Sequence, residues 1–294
     1  MNILNIKEKN LSIIIPFKNG HTLLRTTFIH LFKHLNIDVE LEHDQMKLLK
    51  KSYIFVRNPI DRFFSSYSWM ENMLKNGDDL NKEYIIDCMK SANVNNISDY
   101  INNYENFIDK CDDTHFIPQS SHILDDDDKM LKNEIINNQF DLKLFYQNRF
   151  GVNYKIFKIE EIDKIIKKNT LNLISKNIGF ENKTDSVGFD NNKFEFLIDF
   201  PNDVSFLFTT FYLYFKNLFE MSLHHKHINY MEEITLQEYY KVCNITNNEC
   251  DFFGYDEKVI NNKVFKIVYE NKIIENKVVE NIVIENKIFK KSLI

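Results

Sequence analysis

The sequence predicts an α/β fold with a central parallel sheet flanked by helices. Two short apolar runs, residues 11–16 and 53–56, have the length and composition of buried strands. A segment with helical periodicity follows each of them, and strands that alternate with helices are typical of a parallel sheet. The chain has 294 residues, 44% of them hydrophobic and 26 of them Phe, so it can form a large aromatic core.

The first half of the chain supplies the two main strands. The strand at residues 11–16 is followed by a loop with one glycine, Gly20, and then by a helix over residues 22–35 whose apolar side chains recur at helical spacing. Residues 39–41 are a candidate short strand, and residues 53–56 form the second main strand. Helices are expected at residues 61–74, 82–91 and 97–110.

The second half continues the alternation. Residues 153–159 are a strand candidate, and the chain is helical from Glu160 onward. Residues 204–221 form a strongly aromatic helix, and a last helix begins with residues 236–242. We therefore predict one domain over residues 1–256.

Residues 257–294 form a tail of different character. Four segments, of which the first is Tyr269-Glu-Asn-Lys-Ile, repeat every five residues, a period that fits neither a helix nor strict strand alternation. Short β segments joined by Asn turns are one interpretation, favoured by the many β-branched residues. A weakly ordered repeat expansion is the other.

Bulk properties limit the classes of partner. The formal net charge of −6 argues against broad nucleic-acid binding, which needs a basic face. The four cysteines lack the Cys-x-x-Cys spacing, so we expect reduced thiols and no metal site, with a Cys243–Cys250 pair left open. There is neither a signal-peptide pattern nor an apolar run of about 18 residues, which predicts a soluble, cytoplasmic or host-cell intracellular protein. The oligomeric state is not predicted.

A phosphate-binding pattern follows the second main strand. Arg57 stands where this strand ends in a loop, the position at which open α/β sheets bind ligands. Arg62 and Ser65 follow at spacings that can return to the same side of the next helix. Two guanidinium groups, a hydroxyl and a helix N-terminus suit a phosphate.

A second candidate anion site lies in the loop after the first strand. Lys18 stands there beside the backbone amides of the following residues, which are Asn19, Gly20, His21 and Thr22. Strand, short loop with one glycine and helix is a phosphate-cradling arrangement. The loop lacks the Gly-x-x-x-x-Gly-Lys-Ser/Thr spacing of the nucleoside-triphosphatase loop.

These motifs resemble those of sulfotransferases that use 3′-phosphoadenosine 5′-phosphosulfate (PAPS). Residues 57–67 resemble the 3′-phosphate motif Arg-Asp-Pro-x-x-Arg-x-x-Ser-x-Tyr, with Asn58 in place of Asp. Residues 17–22 resemble the 5′-phosphosulfate motif Pro-Lys-x-Gly-x-Thr, with the proline displaced to position 16. Residues 113–119 and 251–255 resemble segments of the carbohydrate (Golgi-type) branch, so that the resemblance covers about residues 11 to 256.

The resemblance implies a P-loop-like sulfotransferase fold and a reaction. The sulfuryl group of PAPS would move to an acceptor hydroxyl, most readily on a carbohydrate, and no metal is required. Arg57, Arg62 and Ser65 would hold the 3′-phosphate. Lys18, with the amides of residues 19–22, would hold the 5′-phosphosulfate and the leaving group.

The general base is left open between two histidines. His43 stands between Glu42 and Asp44, either of which can orient an imidazole, and a surface position for this histidine is an equal alternative. His115 lies in the segment at residues 113–119 and is the other candidate. Glu40 and Glu42 are the fallback carboxylate bases.

Two other functions compete with this interpretation. A nucleotide or nucleoside kinase shares the strand–phosphate loop–helix arrangement, but it needs a fuller glycine loop and a magnesium-binding Asp after a strand. A degenerate, non-catalytic interaction protein that displays the repeat tail is the second alternative. The presence of Lys18, Arg57 and Ser65 argues against complete degeneracy.

Overall fold

The computed structural model describes most of the chain in two compact units. The first, here the sheet unit, consists of Met1–Arg57 and Tyr146–Lys226, and the second, here the helical unit, of Asn58–Phe145 and His227–Ile294. The boundary predicted at residue 256 between a domain and a tail stays a prediction. The described residues are 2–42, 48–111, 113–123, 131–166, 194–198, 200–201, 204–222, 233–255, 268–269 and 272–273.

A five-stranded sheet forms the centre of the sheet unit. The strands are β1 (Asn2–Ile6), β2 (Leu11–Ile15), β3 (Glu40–Glu42), β4 (Lys51–Val56) and β5 (Tyr154–Lys158), in the order β3-β1-β2-β4-β5. The strands β2, β4 and β5 are parallel, whereas β1 is antiparallel to both of its neighbours. The α/β class is confirmed. The predicted parallel arrangement holds for β2, β4 and β5, whereas β1 makes the sheet as a whole mixed.

The strand β1 was missed because polar residues interrupt its apolar pattern. Asn5 is nevertheless buried, and its Oδ1 accepts a hydrogen bond of 2.6 Å from Ser12 Oγ. Ser12 is the residue opposite Asn5 in the antiparallel pairing of β1 with β2. A buried amide is stable once it has such a partner, and only the strand pairing brings that partner close.

The helices follow the predicted segments with shifts at their ends. The predicted helix over residues 97–110 is two helices that meet at Asn103, and the two helices between residues 131 and 150 were not predicted. The helices are α1 (His21–His34), α2 (Pro59–Asn76), α3 (Asp79–Ala92), α4 (Ile97–Asn102), α5 (Tyr104–Lys110), α6 (Leu131–Ile136), α7 (Leu142–Phe150), α8 (residues 159–166), α9 (Val204–Ser222) and α10 (Leu236–Phe253).

The sheet unit is held together by an aromatic core. Phe28 of α1 is fully buried and packs against three rings outside α1 at centroid distances of 5.3 to 5.8 Å. These rings belong to Phe55 of β4, to Phe208 of α9 and to Phe196, which precedes α9 in the chain. Because α1 begins directly after the loop at residues 16–20, this packing also fixes where the helix N-terminus lies on the sheet.

The helical unit has its own core, in which α10 packs on α2, α4 and α6. The first turn of α10 carries a capping box, in which Thr235 and Glu238 each bind the other's backbone N–H. The helix ends at Gly254, whose φ of 67° is the left-handed conformation that glycine adopts at low cost. The glycine of the segment at residues 251–255 thus has a structural role as a helix cap.

The described part of the tail is one pair of short strands. The strands β6 (Val268–Tyr269) and β7 (Lys272–Ile273) pair antiparallel, with Val268 opposite Ile273. This agrees with the interpretation of the first repeat as short paired β segments. The later repeats lie outside the described residues.

Other sequence expectations concern the membrane and the thiols. In the part of the chain that the structure describes, no helix is both long and apolar enough to cross a membrane. The thiols of Cys88, Cys111, Cys243 and Cys250 are buried and form no disulfide, so the Cys243–Cys250 pair that was left open is not formed.

Replacement of Phe28 tests the aromatic core. We expect Phe28→Ala to lower the free energy of unfolding by about 3 to 5 kcal/mol, because it removes a fully buried ring and leaves a cavity. Urea denaturation followed by circular dichroism measures the loss. Phe206→Ala is the matched control, since this ring is 45% exposed, and a loss as large as that of Phe28→Ala would contradict the assigned core.

Candidate functional site

The loop between β2 and α1 has a backbone suited to an anion. Lys18 has φ 65° and Gly20 has φ 64°, whereas Asn19 between them has no positive φ. Successive residues that alternate in this way turn their N–H groups toward one concave surface. For Lys18 the left-handed conformation costs about 1 kcal/mol or more. Such a cost at a non-glycine residue is a common sign of a functional site.

Two hydrogen bonds attach this loop to the end of β4. Asn19 is buried, and its Nδ2 donates to the carbonyl oxygen of Phe55 at 3.0 Å. Arg57 Nη1 donates to the carbonyl oxygen of Lys18 at 3.3 Å. The structure thus brings Lys18 and Arg57 together at the carboxyl ends of two neighbouring parallel strands, where α/β proteins bind ligands.

The N-terminus of α1 adds to the positive character of the loop. Gly20 is the N-cap and carries no side chain that could accept from the first amides of the helix. The N-terminal end of a helix carries a partial positive charge, and its amides favour anions. His21 packs edge-on against Phe17 at 4.9 Å, and its Nε2 lies 3.3 Å from Thr22 Oγ1. The loop from Lys18 to Thr22 is therefore a candidate site for a phosphate or phosphosulfate.

In the helical unit, Asn58 caps α2. Its Oδ1 accepts from the N–H of Ile60 at 2.9 Å and from that of Asp61 at 3.4 Å. Pro59 at the first helical position needs no donor partner, so α2 begins two residues before the predicted start. Asn and Asp are about equally good caps, and Asn58 therefore keeps the local structure that an Asp would give.

Arg62 is placed in the interior of the helical unit. Its side chain is 3% exposed, Nη1 donates to the carbonyl oxygen of Ile117 at 2.6 Å, and Nη2 lies 3.0 Å from His122 Nε2. Two of the guanidinium nitrogens therefore hold the segment after His115. A guanidinium with these contacts organises protein structure, which differs from the phosphate contact that the sequence predicts for it.

A buried carboxylate completes this network. Glu249 of α10 accepts hydrogen bonds from the N–H of Ser120 at 2.6 Å and from its Oγ at 2.5 Å. Burial raises the pKa of Glu249, while Arg62 and the Ser120 donors act in the opposite direction. The carboxylate and the guanidinium thus fix the turn Gln119–Ile123 from two sides within the same unit.

Ser65 and Ser66 differ in their surroundings. Ser65 is half-buried, as expected of a residue that can meet a ligand. Ser66 is buried, and its Oγ lies 2.9 Å from the carbonyl oxygen of Arg62 and 2.8 Å from that of His115. Ser66 therefore ties the segment at residues 113–119 to α2 and leaves Ser65 as the hydroxyl available for the predicted phosphate role.

His115 is held as a general base would be. Its Nδ1 lies 2.6 Å from Asp113 Oδ1, and its ring stacks on Trp69 with 4.1 Å between centroids and 10° between planes. A carboxylate that accepts the proton of Nδ1 leaves the lone pair on Nε2, which can then accept a proton. The sequence named His115 but missed Asp113 and Trp69 as its partners. The Asp-x-His spacing could have indicated Asp113 as a partner. No signal in the sequence indicated that Trp69 stacks on His115.

The other proposed bases have different positions. Glu40 and Glu42 lie on β3, the edge strand, which β1 separates from β2. Glu40 forms an ion pair with Lys7. His43 lies outside the described residues. Of the base candidates in the described part of the chain, His115 is the one with an orienting carboxylate and a stacking partner.

The comparisons with known proteins add no assignment. No protein-family model, no curated protein and no solved structure matches this chain. Within the described ranges, which omit residues 223–232, no group of three or more His, Cys, Asp or Glu side chains could hold a metal ion. The function therefore has to be argued from the geometry and from the resemblance of the motifs.

A stability measurement distinguishes the structural role of Arg62 from the predicted ligand role of Ser65. We expect Arg62→Ala to lower the free energy of unfolding by about 3 kcal/mol, because it leaves the buried Glu249 without its cation. Ser65→Ala should change it by less than about 0.5 kcal/mol. Urea midpoints of the two variants on the same helix give the comparison. Equal midpoints would show that Arg62 does not stabilise the helical unit.

Proposed function

We propose that this protein is a sulfotransferase that moves the sulfuryl group of PAPS to a hydroxyl group, most readily on a carbohydrate. The observation that carries the proposal is the loop at residues 17–22. Its alternating backbone, its position at a helix N-terminus and its attachment to Arg57 suit a multiply charged phosphate ester. The order of the resembling motifs along the chain supports PAPS as that ester. A P-loop-like sulfotransferase fold is part of the proposal.

The loop would act on the leaving group. The acceptor oxygen forms a bond to sulfur while the bond from sulfur to the 5′-phosphate oxygen breaks, and negative charge grows on that phosphate. Lys18 would supply an ammonium group, and the amides of residues 20–22 would supply N–H donors, because the N–H of Asn19, predicted from the sequence as a further donor, donates to the carbonyl oxygen of Pro16 at 3.3 Å. Such groups stabilise charge that develops in the transition state. This chemistry needs no metal ion, because the loop supplies the positive charge.

From the motif resemblance, Arg57 and Ser65 are the proposed ligands of the 3′-phosphate. Arginine binds phosphate through two parallel N–H donors, and a serine hydroxyl adds a third. In this proposal Arg62, predicted from the sequence as a further phosphate ligand, instead keeps the segment after His115 in place. The support is its 3% exposure and its hydrogen bond to Ile117.

His115 is the proposed base. Nε2 would take the proton of the acceptor hydroxyl, so that the products are the sulfate ester, 3′-phosphoadenosine 5′-phosphate and a protonated imidazole that loses its proton to water. The support is the hydrogen bond of Nδ1 to Asp113 and the stacking on Trp69. Both contacts restrict the ring orientation, which a general base requires. His43 keeps its place as the alternative base.

Nucleotide binding gives the direct test. We expect titration calorimetry with 3′-phosphoadenosine 5′-phosphate, without magnesium, to give a dissociation constant in the micromolar range. Lys18→Gln and Arg57→Ala should each weaken it at least about tenfold, since each removes a charge-assisted contact worth about 1.5 to 3 kcal/mol. Lys33→Gln, an exposed lysine of α1, is the matched control and should bind as the parent chain does.

The same titration separates the rival functions. Binding of ATP that requires magnesium, without binding of 3′-phosphoadenosine 5′-phosphate, would indicate the kinase-like enzyme. Absence of binding for both nucleotides would indicate the non-catalytic interaction protein. Unchanged affinity of Lys18→Gln and Arg57→Ala for 3′-phosphoadenosine 5′-phosphate would contradict the assigned site.

The role of His115 is tested by transfer kinetics. His115→Gln should lower kcat/KM by about 10²- to 10⁴-fold, and Asp113→Asn should lower it at least about tenfold because the orienting acceptor is lost. Neither variant should change the affinity for 3′-phosphoadenosine 5′-phosphate. The measurement is the rate at which 3′-phosphoadenosine 5′-phosphate is released from PAPS in the presence of pooled saccharide acceptors. Asp109→Asn, which alters a half-exposed carboxylate of α5, is the control. Full activity in His115→Gln would contradict the role of His115 and favour His43 as the base.

A further inference from the structure

A basic cavity lies at the edge of the sheet opposite the candidate phosphate loop. The strands β2, β4 and β5 are parallel, so their amino ends share one edge of the sheet. A cavity of about 380 Å³ opens at this edge. Its lining includes Lys9, Lys50, Lys51, Lys155, Tyr53 and Tyr154.

Four of the nine residues that line this cavity are lysines. The formal net charge of the whole chain is −6, so this cluster is opposite in sign to the net charge. Lys9, Lys50 and Lys155 are exposed, and Lys51 is half-buried with its Nζ 4.9 Å from the centre of the Tyr53 ring. Like charges that line one cavity repel one another, and a bound anion relieves the repulsion.

One carboxylate outside the lining partly balances these charges. Glu195 forms an ion pair with Lys155. The Glu195 carboxylate raises the pKa of Lys155, while the nearby Lys51 ammonium acts in the opposite direction. Lys51 and Lys155 are therefore near enough to interact. Because four lysines face one carboxylate, the cavity keeps a net positive charge.

The walls of the cavity are held by backbone hydrogen bonds. Asn10 has a left-handed φ of 50°, its carbonyl oxygen accepts from the N–H of Lys51 at 3.1 Å, and its Oδ1 accepts from that of Lys50 at 3.2 Å. The carbonyl oxygen of Asn153 accepts from the N–H of Ser52 at 3.0 Å. Because three chain segments are joined in this way, the lysines are presented from a fixed frame, which lowers the entropic cost of binding.

We propose that this cavity binds a compact polyanion that carries three or more sulfate or phosphate groups. Several ammonium groups suit several oxyanion groups, and the half-buried Tyr154 adds a hydroxyl donor and ring surface for the ligand framework. Strands of five or six residues, at about 3.3 Å per residue, separate the cavity from the candidate phosphate loop by roughly 15 to 20 Å. The proposal therefore does not depend on the sulfotransferase activity.

Titration calorimetry with two compact polyanions tests this site. We use inositol hexakisphosphate and sucrose octasulfate with the full chain, and inositol and sucrose as uncharged references. The expected result is micromolar binding of at least one polyanion and no binding of the references. Tighter binding of the first would identify phosphate esters as the ligand class, and tighter binding of the second would identify sulfated saccharides. No binding of either polyanion would overturn the proposal.

Charge-matched variants locate the binding. Lys50→Gln/Lys51→Gln/Lys155→Gln should bind at least about tenfold more weakly, whereas Lys33→Gln/Lys75→Gln/Lys90→Gln, which removes three exposed charges elsewhere, should stay within about twofold. Lys50→Gln alone alters one exposed side chain and should weaken binding about threefold even if the triple variant is unstable.

A competition experiment tests whether the polyanion binds at the candidate phosphate loop instead of the lysine cavity. Saturating 3′-phosphoadenosine 5′-phosphate should leave the polyanion affinity unchanged, because the two sites lie at opposite edges of the sheet. Equal losses in the two triple variants, or displacement of the polyanion by the nucleotide, would overturn the proposal.

Discussion

The attachment of the loop after β2 to the end of β4 is the constraint on which the candidate site depends. Asn19 donates to Phe55, and Arg57 donates to Lys18, so two residues of the loop are tied to two residues of the neighbouring strand end. These bonds hold Lys18 in a left-handed conformation that it would otherwise leave. The aromatic core around Phe28 fixes α1 on the sheet, and the helix N-terminus completes the anion site.

The helical unit uses buried polar groups for a comparable purpose. Arg62, Glu249 and Ser66 each bind backbone atoms of the segment that includes His115 or directly follows it. Buried charges are costly unless they are paired and hydrogen-bonded, and here the pairing is used to order an irregular segment. An ordered segment can keep His115 against Asp113 and Trp69, which is the geometry that a proton acceptor needs.

The sheet unit presents different chemistry at its two edges. The carboxyl ends of β2 and β4 carry the loop with Lys18 and the side chain of Arg57, whereas the amino ends of β2, β4 and β5 frame the lysine cavity. A parallel arrangement produces this separation, because every parallel strand begins at one edge and ends at the other. One sheet can therefore hold the candidate phosphate loop and the lysine cavity at separate edges.

The sequence by itself determined the α/β class, the strands β2, β4 and β5 and most of the helices, because apolar runs and helical periodicity are local signals. It also determined the candidate loop and Arg57, which follow directly from strand ends. Only the tertiary structure decided that β1 joins the sheet antiparallel through the Asn5–Ser12 pair, and that Arg62 turns inward. It likewise decided that Asp113 and Trp69 support His115. The physical reason is that a polar side chain takes its role from the partner it meets, and strand pairing and helix packing choose that partner.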